Sequence, residues 1–311
     1  RIESNYHRTV NDAMAFGSFG ISHSSSTLNS GPIEMLHKLG FSYGGHYTKY
    51  KGSTYVSDAI LGIKYVMEKG DAEDDIIPTN KHYDDLLLTN RDEKDIWAVY
   101  ENPNALPIAF MADSSVLDVV LEKDNPFANQ NNLLSHLVSD EYTEYFKQIS
   151  VSKTLPENAK QSSYGAHIKY TPIVEGENSH IEFIIKAPTE DMIYMYLPSN
   201  YERKVNLWLN KDFLDYYFEG GNMVIQTLGK FEENEEISLI VTITEDKKEV
   251  LVHGVIFRTE LTEGTHDIEM TFFPKGLSQG IILSVCGIIA IVIIAIYPKK
   301  EEKILLDKLN D

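Results

Sequence analysis

Aromatic and basic side chains alternate in the sequence GGHYTKYKG at residues 44–52. Its two tyrosines could stack on a sugar ring or lie at a membrane interface, and its histidine and two lysines could bind a phosphate group. The same composition is common in plain surface turns. The segment is therefore a candidate for sugar or phosphate binding, with an ordinary surface loop as the alternative.

A second candidate is the serine- and glycine-rich stretch FGSFGISHSSSTLNS at residues 16–30. Hydroxyls and glycines permit turns but cannot build a core. Loops of this length in compact domains often have a function, so the stretch is either a solvated connector or a loop that faces a substrate.

The remaining motifs argue against chemistry within this chain. The acidic run at residues 71–75 lacks the ordered spacing and turn glycine of a calcium loop, so it is interpreted as a solvated face. The sequence contains no HExxH, P-loop, dinucleotide-binding glycine fingerprint or Gly-x-Ser-x-Gly motif. Its one cysteine, Cys286, excludes a thiolate zinc site. No metal ligand, cofactor or catalytic residue is predicted here.

The composition restricts the partners. The 311 residues carry a formal net charge of -19 at pH 7, so a nucleic-acid backbone would be repelled and a cationic, neutral or lipid-linked ligand fits better. With 42% hydrophobic residues the chain can build real cores. A lone cysteine allows no disulfide framework, and no Asn-x-Ser/Thr acceptor is present. Both absences favour a bacterial cell surface.

The stretch from Gly280 to Tyr297 is apolar over its whole length. As a helix it would cover about 27 Å, enough to cross a bilayer, whereas a buried core helix normally keeps a polar face. Basic residues follow it, which places the tail in the cytoplasm and residues 1–276 outside. Because an exported region needs an upstream signal, we expect a longer protein whose membrane part precedes Arg1. The predicted membrane anchors are Lys275, Tyr297, Lys299 and Lys300.

Residues 1–151 mix helix and strand signals, which predicts a mixed α/β unit. Ser57 is predicted to cap the apolar segment SDAILGIKYVMEKG, which is either one helix or a short helix to Gly62 followed by a strand. The other expected elements are a strand within 1–10, a helix at 33–39, two strands within 97–111 around a turn at 101–104, and helices at 125–137 and 141–149.

Residues 152–276 have a different pattern. After a polar linker at 152–165, apolar and polar residues alternate with period two, which predicts an antiparallel β-sandwich or jelly roll without helices. The clearest runs are 205–209, 237–243 and 268–272, with a hairpin at 220–222. The expected fold class is α+β, comprising the mixed unit at 1–151, a jelly-roll-like β-sandwich at 152–276, a transmembrane helix at 277–298 and a cytoplasmic tail at 299–311.

Several short segments of the sequence resemble segments that occur, in the same order, in the members of one protein family. They are Arg1-Ile2-Glu3, SDAILGIKYV at 57–66, VYENPNALPIAF at 99–110, NPFANQNNLL at 125–134 and FFPKGLSQG at 272–280. Together they resemble the C-terminal half of the YfhO family of bacterial membrane proteins, over nearly the whole chain.

The resemblance implies a membrane glycosyltransferase of the GT-C type, which transfers sugar from an undecaprenyl-phosphate carrier to a cell-surface polymer such as lipoteichoic acid. It implies a location in the bacterial cell membrane, with the lipid bilayer, the lipid-linked sugar and the polymer as partners. In such enzymes the acidic catalytic residue, with any divalent metal, lies in the membrane part. This chain is therefore expected to bind or shape the acceptor. The alternative is a non-catalytic, membrane-anchored module that binds cell-wall carbohydrate.

Four residues within these phrases are the candidates for contact with the acceptor or carrier. Arg1 could form a fork to phosphate or carboxylate, and Lys64 could supply a point charge. Tyr65 could stack on a sugar and Asn102 could bind a hydroxyl group. The alternatives are packing of Lys64 and Tyr65 at a strand edge, and an Asx turn before Pro103 for Asn102.

Overall fold

In the computed structural model, residues 1–266 form one compact unit and residues 267–311 form a second. The described residues are 1–27, 29–71, 83, 86–91, 94–123, 125–138, 141–164, 167–196, 205–217, 224–244, 250–252, 256–259, 282–291 and 293.

The second unit contains the stretch that the sequence predicts to cross the membrane. Residues 282–291 are helical, and apolar side chains such as Ile288 and Ile291 are exposed. Within the part of the chain that the structure describes, no helix combines the length and the apolar character needed to cross a bilayer. The predicted transmembrane helix therefore stays a prediction. Its predicted anchors lie outside the described residues, namely Lys275, Tyr297, Lys299 and Lys300.

The larger unit begins with helices and short strands in alternation. In chain order they are β1 (Ile2–Ser4), α1 (Asp12–Ala15), β2 (His23–Ser24), α2 (Ser30–Lys38), β3 (Ser42–Gly44), β4 (Tyr47–Lys49), α3 (Tyr55–Ile60), β5 (Tyr65–Asp71), β6 (Leu86–Arg91), β7 (Asp95–Glu101), a 3-10 helix (Ser114–Asp118), α4 (Pro126–Val138) and β8 (Phe146–Gln148). One sheet has the order β1-β5-β7-β6, with β1 and β5 parallel and the other pairs antiparallel. This part mixes helix and strand, as the sequence predicts.

Within the larger unit, the described residues that come after β8 form strands and no helix. They are β9 (Val151–Glu157), β10 (Ala159–Tyr164), β11 (His167–Pro172), β12 (Ser179–Lys186), β13 (Asp191–Tyr196), β14 (Val205–Leu209), β15 (Asp212–Tyr217), β16 (Ile225–Phe231), β17 (Glu236–Ile243), β18 (Val250–Val252) and β19 (Ile256–Thr259). They form antiparallel sheets, as predicted, with a five-stranded sheet in the order β15-β14-β17-β12-β9 and a four-stranded sheet in the order β16-β13-β19-β8.

The two large sheets share one hydrophobic core. Ile181, Leu207 and Leu239 from the five-stranded sheet are fully buried, and they belong to the same cluster as Ile193 and Met195 from the four-stranded sheet. The sheets therefore pack face to face, as in a β-sandwich. The alternating runs at 205–209 and 237–243 are β14 and β17, whereas the predicted run at 268–272 and hairpin at 220–222 lie outside the described residues.

Helix α3 begins one turn earlier than the sequence predicts. Thr54 is its N-cap: the Thr54 hydroxyl accepts a hydrogen bond from the Ser57 N–H at 3.1 Å, and the Ser57 hydroxyl accepts one from the Thr54 N–H at 2.9 Å. The prediction that Ser57 is the cap was wrong, because Ser57 is the third helical residue of a capping box. Gly62 has a φ of 62°, and a Cβ there would lie 2.6 Å from the Leu106 carbonyl oxygen. Of the two alternatives for this segment, the structure therefore has the short helix followed by a strand, β5, and not one continuous helix.

Three other predictions in this region were wrong. Residues 146–148 form strand β8 rather than part of a helix, and the predicted linker at 152–165 contains strands β9 and β10. Strand β9 lies at the edge of its sheet and most of its residues are exposed, so it has no apolar alternation to reveal it. No second strand exists within 102–111, where the Leu106 N–H instead bonds to the Ala59 carbonyl at 3.0 Å.

Helix α4 carries consecutive amide side chains that are buried. Asn129 donates to the Lys38 carbonyl at 2.7 Å and Gln130 donates to the Leu39 carbonyl at 2.7 Å. The Gln130 side-chain oxygen also accepts a hydrogen bond from the hydroxyl of Thr54, the N-cap of α3. Two neighbouring amides thus satisfy the end of α2 and connect it to the start of α3.

Asn131 makes the corresponding connection to the four-stranded sheet. Its side-chain oxygen accepts from the Phe146 N–H at 2.7 Å and its amide group donates to the Phe146 carbonyl at 3.0 Å. One turn later, the Ser135 hydroxyl exchanges hydrogen bonds with the Thr143 backbone at 2.8 and 3.1 Å. Helix α4 therefore sets the position of β8.

We predict that Asn131→Ala lowers the free energy of unfolding by about 2–4 kcal/mol, because the buried N–H and carbonyl of Phe146 both lose their side-chain partner. Urea denaturation followed by circular dichroism measures the change. The matched control is Asn132→Ala on the same helix, where the side chain is half-buried, and its effect should be small. Equal losses in the two variants would contradict the role of Asn131.

Candidate functional site

One surface of the sandwich combines aromatic, polar and basic side chains. It lies on the five-stranded sheet, on the side that faces away from the shared core, because side chains alternate between the two faces of a strand. We call this surface the outer face. The strand register places one row of its residues side by side, in the order Phe213, Trp208, Ile240, Glu182 and Leu155.

Trp208 and Phe213 form the aromatic part of the outer face. Their ring centroids lie 5.3 Å apart at an interplanar angle of 77°, an edge-to-face arrangement that is favourable for aromatic pairs. The turn that joins their strands has Asn210 and Lys211 at φ angles of 51° and 77°. Asn210 fixes this turn on the neighbouring strand, since its N–H and its side-chain oxygen both bond to the Ser238 backbone. Lys211, in this turn, lines one cavity together with Trp208.

A polar row lies next to the aromatic row. His180 Nδ1 and Thr242 Oγ1 are 2.9 Å apart, within hydrogen-bond distance, and Asn206 is in register with Thr242 on the next strand. A cavity of about 280 Å³ is lined by this row and by Trp208 of the aromatic pair. Hydrogen-bonding groups beside an apolar ring surface suit a sugar, which presents hydroxyls at its edge and C–H groups on its faces.

The four residues that the sequence singles out lie together, at one end of the sheet that contains β1, β5 and β7. The Arg1 carbonyl accepts hydrogen bonds from the Lys64 and Tyr65 N–H groups at 2.9 and 3.2 Å, and the Arg1 guanidinium donates to the Leu61 carbonyl. The Lys64 ammonium lies 3.2 Å from a Glu101 carboxylate oxygen and 5.7 Å from the centre of the Tyr65 ring. Each of these polar groups has a partner within the protein.

Asn102 is buried beside them. Its side-chain amide donates to the Ile63 carbonyl at 2.9 Å, and its N–H donates to the Lys64 carbonyl at 2.8 Å. The Asn102 side-chain oxygen accepts from the Asn104 N–H at 3.0 Å, which is the Asx turn. Asn102 therefore holds the end of β7 against β5. Contact of any of the four residues with an acceptor or carrier stays a prediction.

The aromatic segment 44–52 contributes a tyrosine to the core. The Tyr50 hydroxyl donates to Asp58 Oδ2 at 2.7 Å, and the Tyr83 hydroxyl donates to the same oxygen at 2.7 Å. Asp58 is fully buried, and its Oδ1 has no hydrogen-bond partner among the described residues. Burial is the largest effect on this carboxyl and raises its pKa from 3.8 to about 7, although the two hydroxyls favour the ionised form.

Sequence reasoning did not single out the outer face or Asp58 as functional candidates. A usable signal for the outer face was present, because Trp208 occupies a solvent-side position in an alternating run, where a polar residue is usual. Asp58 offered no such signal, because the sequence pattern around it predicts only an ordinary helix and does not show that its carboxyl is buried. In the described ranges, no group of three or more His, Cys, Asp or Glu side chains is placed to hold a metal ion.

Comparison with known proteins gives one match that covers most of the chain. The family model described as "Bacterial membrane protein YfhO" matches residues 1–253. No curated protein matches.

Solved structures give weaker similarities. The secreted serine protease VesC from Vibrio cholerae is 16% identical, with a TM-score of 0.28, over 35% of this chain and 25% of the protease. A carbohydrate binding module of family 29 is 11% identical, with a TM-score of 0.28, over 39% of this chain and 83% of the module. The chain thus spans about a quarter of the length of the protease. At these TM-scores neither similarity bears on function.

We predict that the pH dependence of stability changes when Asp58 is replaced by Asn, which keeps an oxygen for the two tyrosines. A carboxyl whose pKa is higher in the folded state stabilises the protein most below pH 4 and loses that contribution as the pH rises to about 7. The unfolding free energy of the wild type should therefore fall between pH 5 and pH 7, relative to the variant, by up to about 1.4 kcal/mol per pH unit.

Chemical denaturation of both proteins at pH 5, 6, 7 and 8 measures this difference. Burial also raises the pKa of the Glu68 carboxyl to about 7, but Glu68 is present in both proteins and cancels in the comparison. Parallel curves for wild type and variant would contradict the elevated pKa of Asp58.

Proposed function

This chain belongs to the YfhO family of bacterial membrane proteins, and from that premise we propose that it is the acceptor-binding part of a membrane glycosyltransferase. In this proposal the full-length protein transfers sugar from an undecaprenyl-phosphate carrier to a cell-surface polymer such as lipoteichoic acid. The chemistry takes place in the membrane part of the protein. The outer face of the five-stranded sheet holds the polymer outside the cell membrane while the sugar is added.

The observation that carries this proposal is the composition of the outer face. Trp208 and Phe213 provide an apolar surface on which a sugar ring can stack. His180, Thr242 and Asn206 provide hydrogen-bond donors and acceptors beside it. An extended face of this kind can contact several units of a polymer, whereas a closed pocket would accept only its end.

The charges indicate which part of the polymer is bound. The chain carries a formal charge of -19, so a polyphosphate backbone would be repelled by most of its surface. Among the described residues that line the outer-face cavity there is no aspartate, glutamate or arginine, and Lys211 is its one lysine. The proposed contact is therefore made with the neutral sugar units, and Lys211 supplies one cation for a neighbouring phosphate.

The four residues from the family-like phrases have a secondary part in this proposal. The Lys64 side chain is 51% exposed and lies beside the Tyr65 ring, so this pair can contact a carrier headgroup or an acceptor. Arg1 and Asn102 would act through this pair, because their hydrogen bonds hold the backbone of residues 61–65.

A second candidate function is a non-catalytic module that binds cell-wall carbohydrate and is anchored in the membrane. The same outer face supports it, because binding by stacking and hydrogen bonds needs no catalytic group. The two functions differ in one consequence. Only the proposed transferase function requires that the sugar content of the surface polymer depends on this protein.

We predict that Trp208→Ala weakens binding of lipoteichoic acid to the 311-residue chain by about 5- to 30-fold, which corresponds to about 1–2 kcal/mol of lost apolar contact. Isothermal titration calorimetry in detergent measures the affinity. Tyr142→Ala is the matched control, because Tyr142 is an aromatic residue that is 56% exposed and lies outside the outer face. Equal affinities for wild type and Trp208→Ala would overturn the assignment of the outer face.

The cellular experiment separates the two functions. Deletion of the full-length gene should remove the sugar from the surface polymer, and complementation with Trp208→Ala should restore it only in part. Glycan analysis of the extracted polymer measures both. Unchanged glycosylation in the deletion strain would overturn the transferase, and combined with a loss of polymer binding in Trp208→Ala it would establish the binding module.

A further inference from the structure

A second cavity, of about 270 Å³, lies near the N-terminus of the larger unit. Its lining comes from β1 and the residues that follow it, from β5 and β7, and from α1 with the segment 16–30. The polymer-binding role of the outer face uses none of these residues. Its volume is below the usual range for drug-sized ligands, which is about 300–1,000 Å³, so any occupant must be small.

One part of the lining is aromatic. The Tyr6 and Trp97 rings meet edge to face, with centroids 5.9 Å apart at 82°. The Lys69 ammonium lies 4.4 Å from the centre of the Tyr6 ring and 2.8 Å from the Asp95 carboxylate. These two contacts of Lys69 help to hold the Tyr6 ring against Trp97. Phe16 also lines the cavity although it is 70% exposed. An aromatic ring with this exposure at a cavity is available to cover a ligand.

The polar part of the lining is built around a buried carboxylate. Glu3 is 3% exposed, and its Oε1 accepts hydrogen bonds from the backbone N–H groups of Ile21 and Ser22. Its Oε2 accepts from the Ser22 hydroxyl at 2.8 Å. These bonds fix the carboxylate before a ligand arrives. Oε1 already accepts two hydrogen bonds, whereas Oε2 accepts one and has lone-pair capacity for a hydroxyl group.

His7 adds a group without a partner. Its Nε2 is buried and forms no hydrogen bond within the described part of the chain. Burial is the largest effect on the imidazole and lowers its pKa, against the opposing influence of Glu3 and Asp12. The ring is therefore neutral at pH 7, and a neutral imidazole can donate or accept a single hydrogen bond at Nε2. A buried polar atom of this kind requires a partner.

We propose that this cavity binds one neutral sugar ring, with its C–H face against the aromatic part and its hydroxyls bonded to Glu3, Ser22 and His7. The cavity of about 270 Å³ suits a single ring, and its polar lining offers a carboxylate, a hydroxyl and an imidazole, each of which can bond to a sugar hydroxyl. The segment 16–30 takes the second of its two predicted roles, that of a loop facing a ligand, since Phe16, Ser18 and Ser22 line the cavity.

The two tryptophans of the chain allow a direct test. The sequence contains only Trp97 and Trp208, and one lies in each proposed site. In the 311-residue chain with Trp208→Phe, fluorescence reports on this cavity alone, and in the chain with Trp97→Phe it reports on the outer face alone. Each variant is titrated in detergent with glucose, galactose and N-acetylglucosamine, and separately with lipoteichoic acid.

The expected result is a saturable change in Trp97 emission with at least one monosaccharide, and a weakening of that binding by about tenfold when His7→Leu is added, the effect of about one lost hydrogen bond. Ala13→Leu, which places a larger side chain in the cavity, should abolish the change. Both variants should keep the circular dichroism spectrum and the urea denaturation midpoint of the parent chain, which shows that the chain is folded.

Three results would overturn the proposal. They are the absence of a saturable change in Trp97 emission with all three sugars, an unchanged affinity in both His7→Leu and Ala13→Leu, and a monosaccharide response that is confined to Trp208. None of them depends on whether the outer face binds polymer, so a failure here is distinguishable from a failure of the proposed function.

Discussion

The rest of the larger unit depends on the burial of three consecutive amides in helix α4. Asn129, Gln130 and Asn131 are each at most 2% exposed, and together they bond to the end of α2, the cap of α3 and the backbone of β8. Buried amides are stable only when their donors and acceptors are satisfied. The three segments must therefore meet α4 in one arrangement, because another arrangement would leave several buried polar groups unpaired.

This constraint links the helical part to the sandwich. Asn131 bonds to β8, which is a strand of the four-stranded sheet, and Phe127 of α4 packs with Phe146 and Tyr194 at ring distances of 5.3 and 6.4 Å. The core behind the four-stranded sheet thus includes residues from both parts. On the opposite side of the sandwich, the outer face, Phe213 is 43% exposed and Trp208 is half-buried, and in the proposed function these two rings contact the ligand.

Part of the fold could be predicted from the sequence. Alternation in the runs 205–209 and 237–243 identified central strands, because one side of these strands is buried and the other is not. It failed for β9, an edge strand with most residues exposed, and for β8, whose three residues are too few to show a period. The candidate site was harder to predict. The four residues chosen from the family-like phrases lie together, but the side-chain polar groups of Arg1, Lys64 and Asn102 bond to the protein itself.

The sequence by itself determined the local features: the helix at α4, the alternating strands, the acidic charge and the family. These depend on interactions over a few residues, which spacing and residue type reveal. Only the tertiary structure decided that Trp208 meets Phe213 beside His180, and that Glu3, His7 and Trp97 line one cavity. Apart from the Trp208–Phe213 pair, which lies within one hairpin, such groupings depend on the register of strands far apart in the chain. Register is set by the packing of the whole core rather than by local sequence.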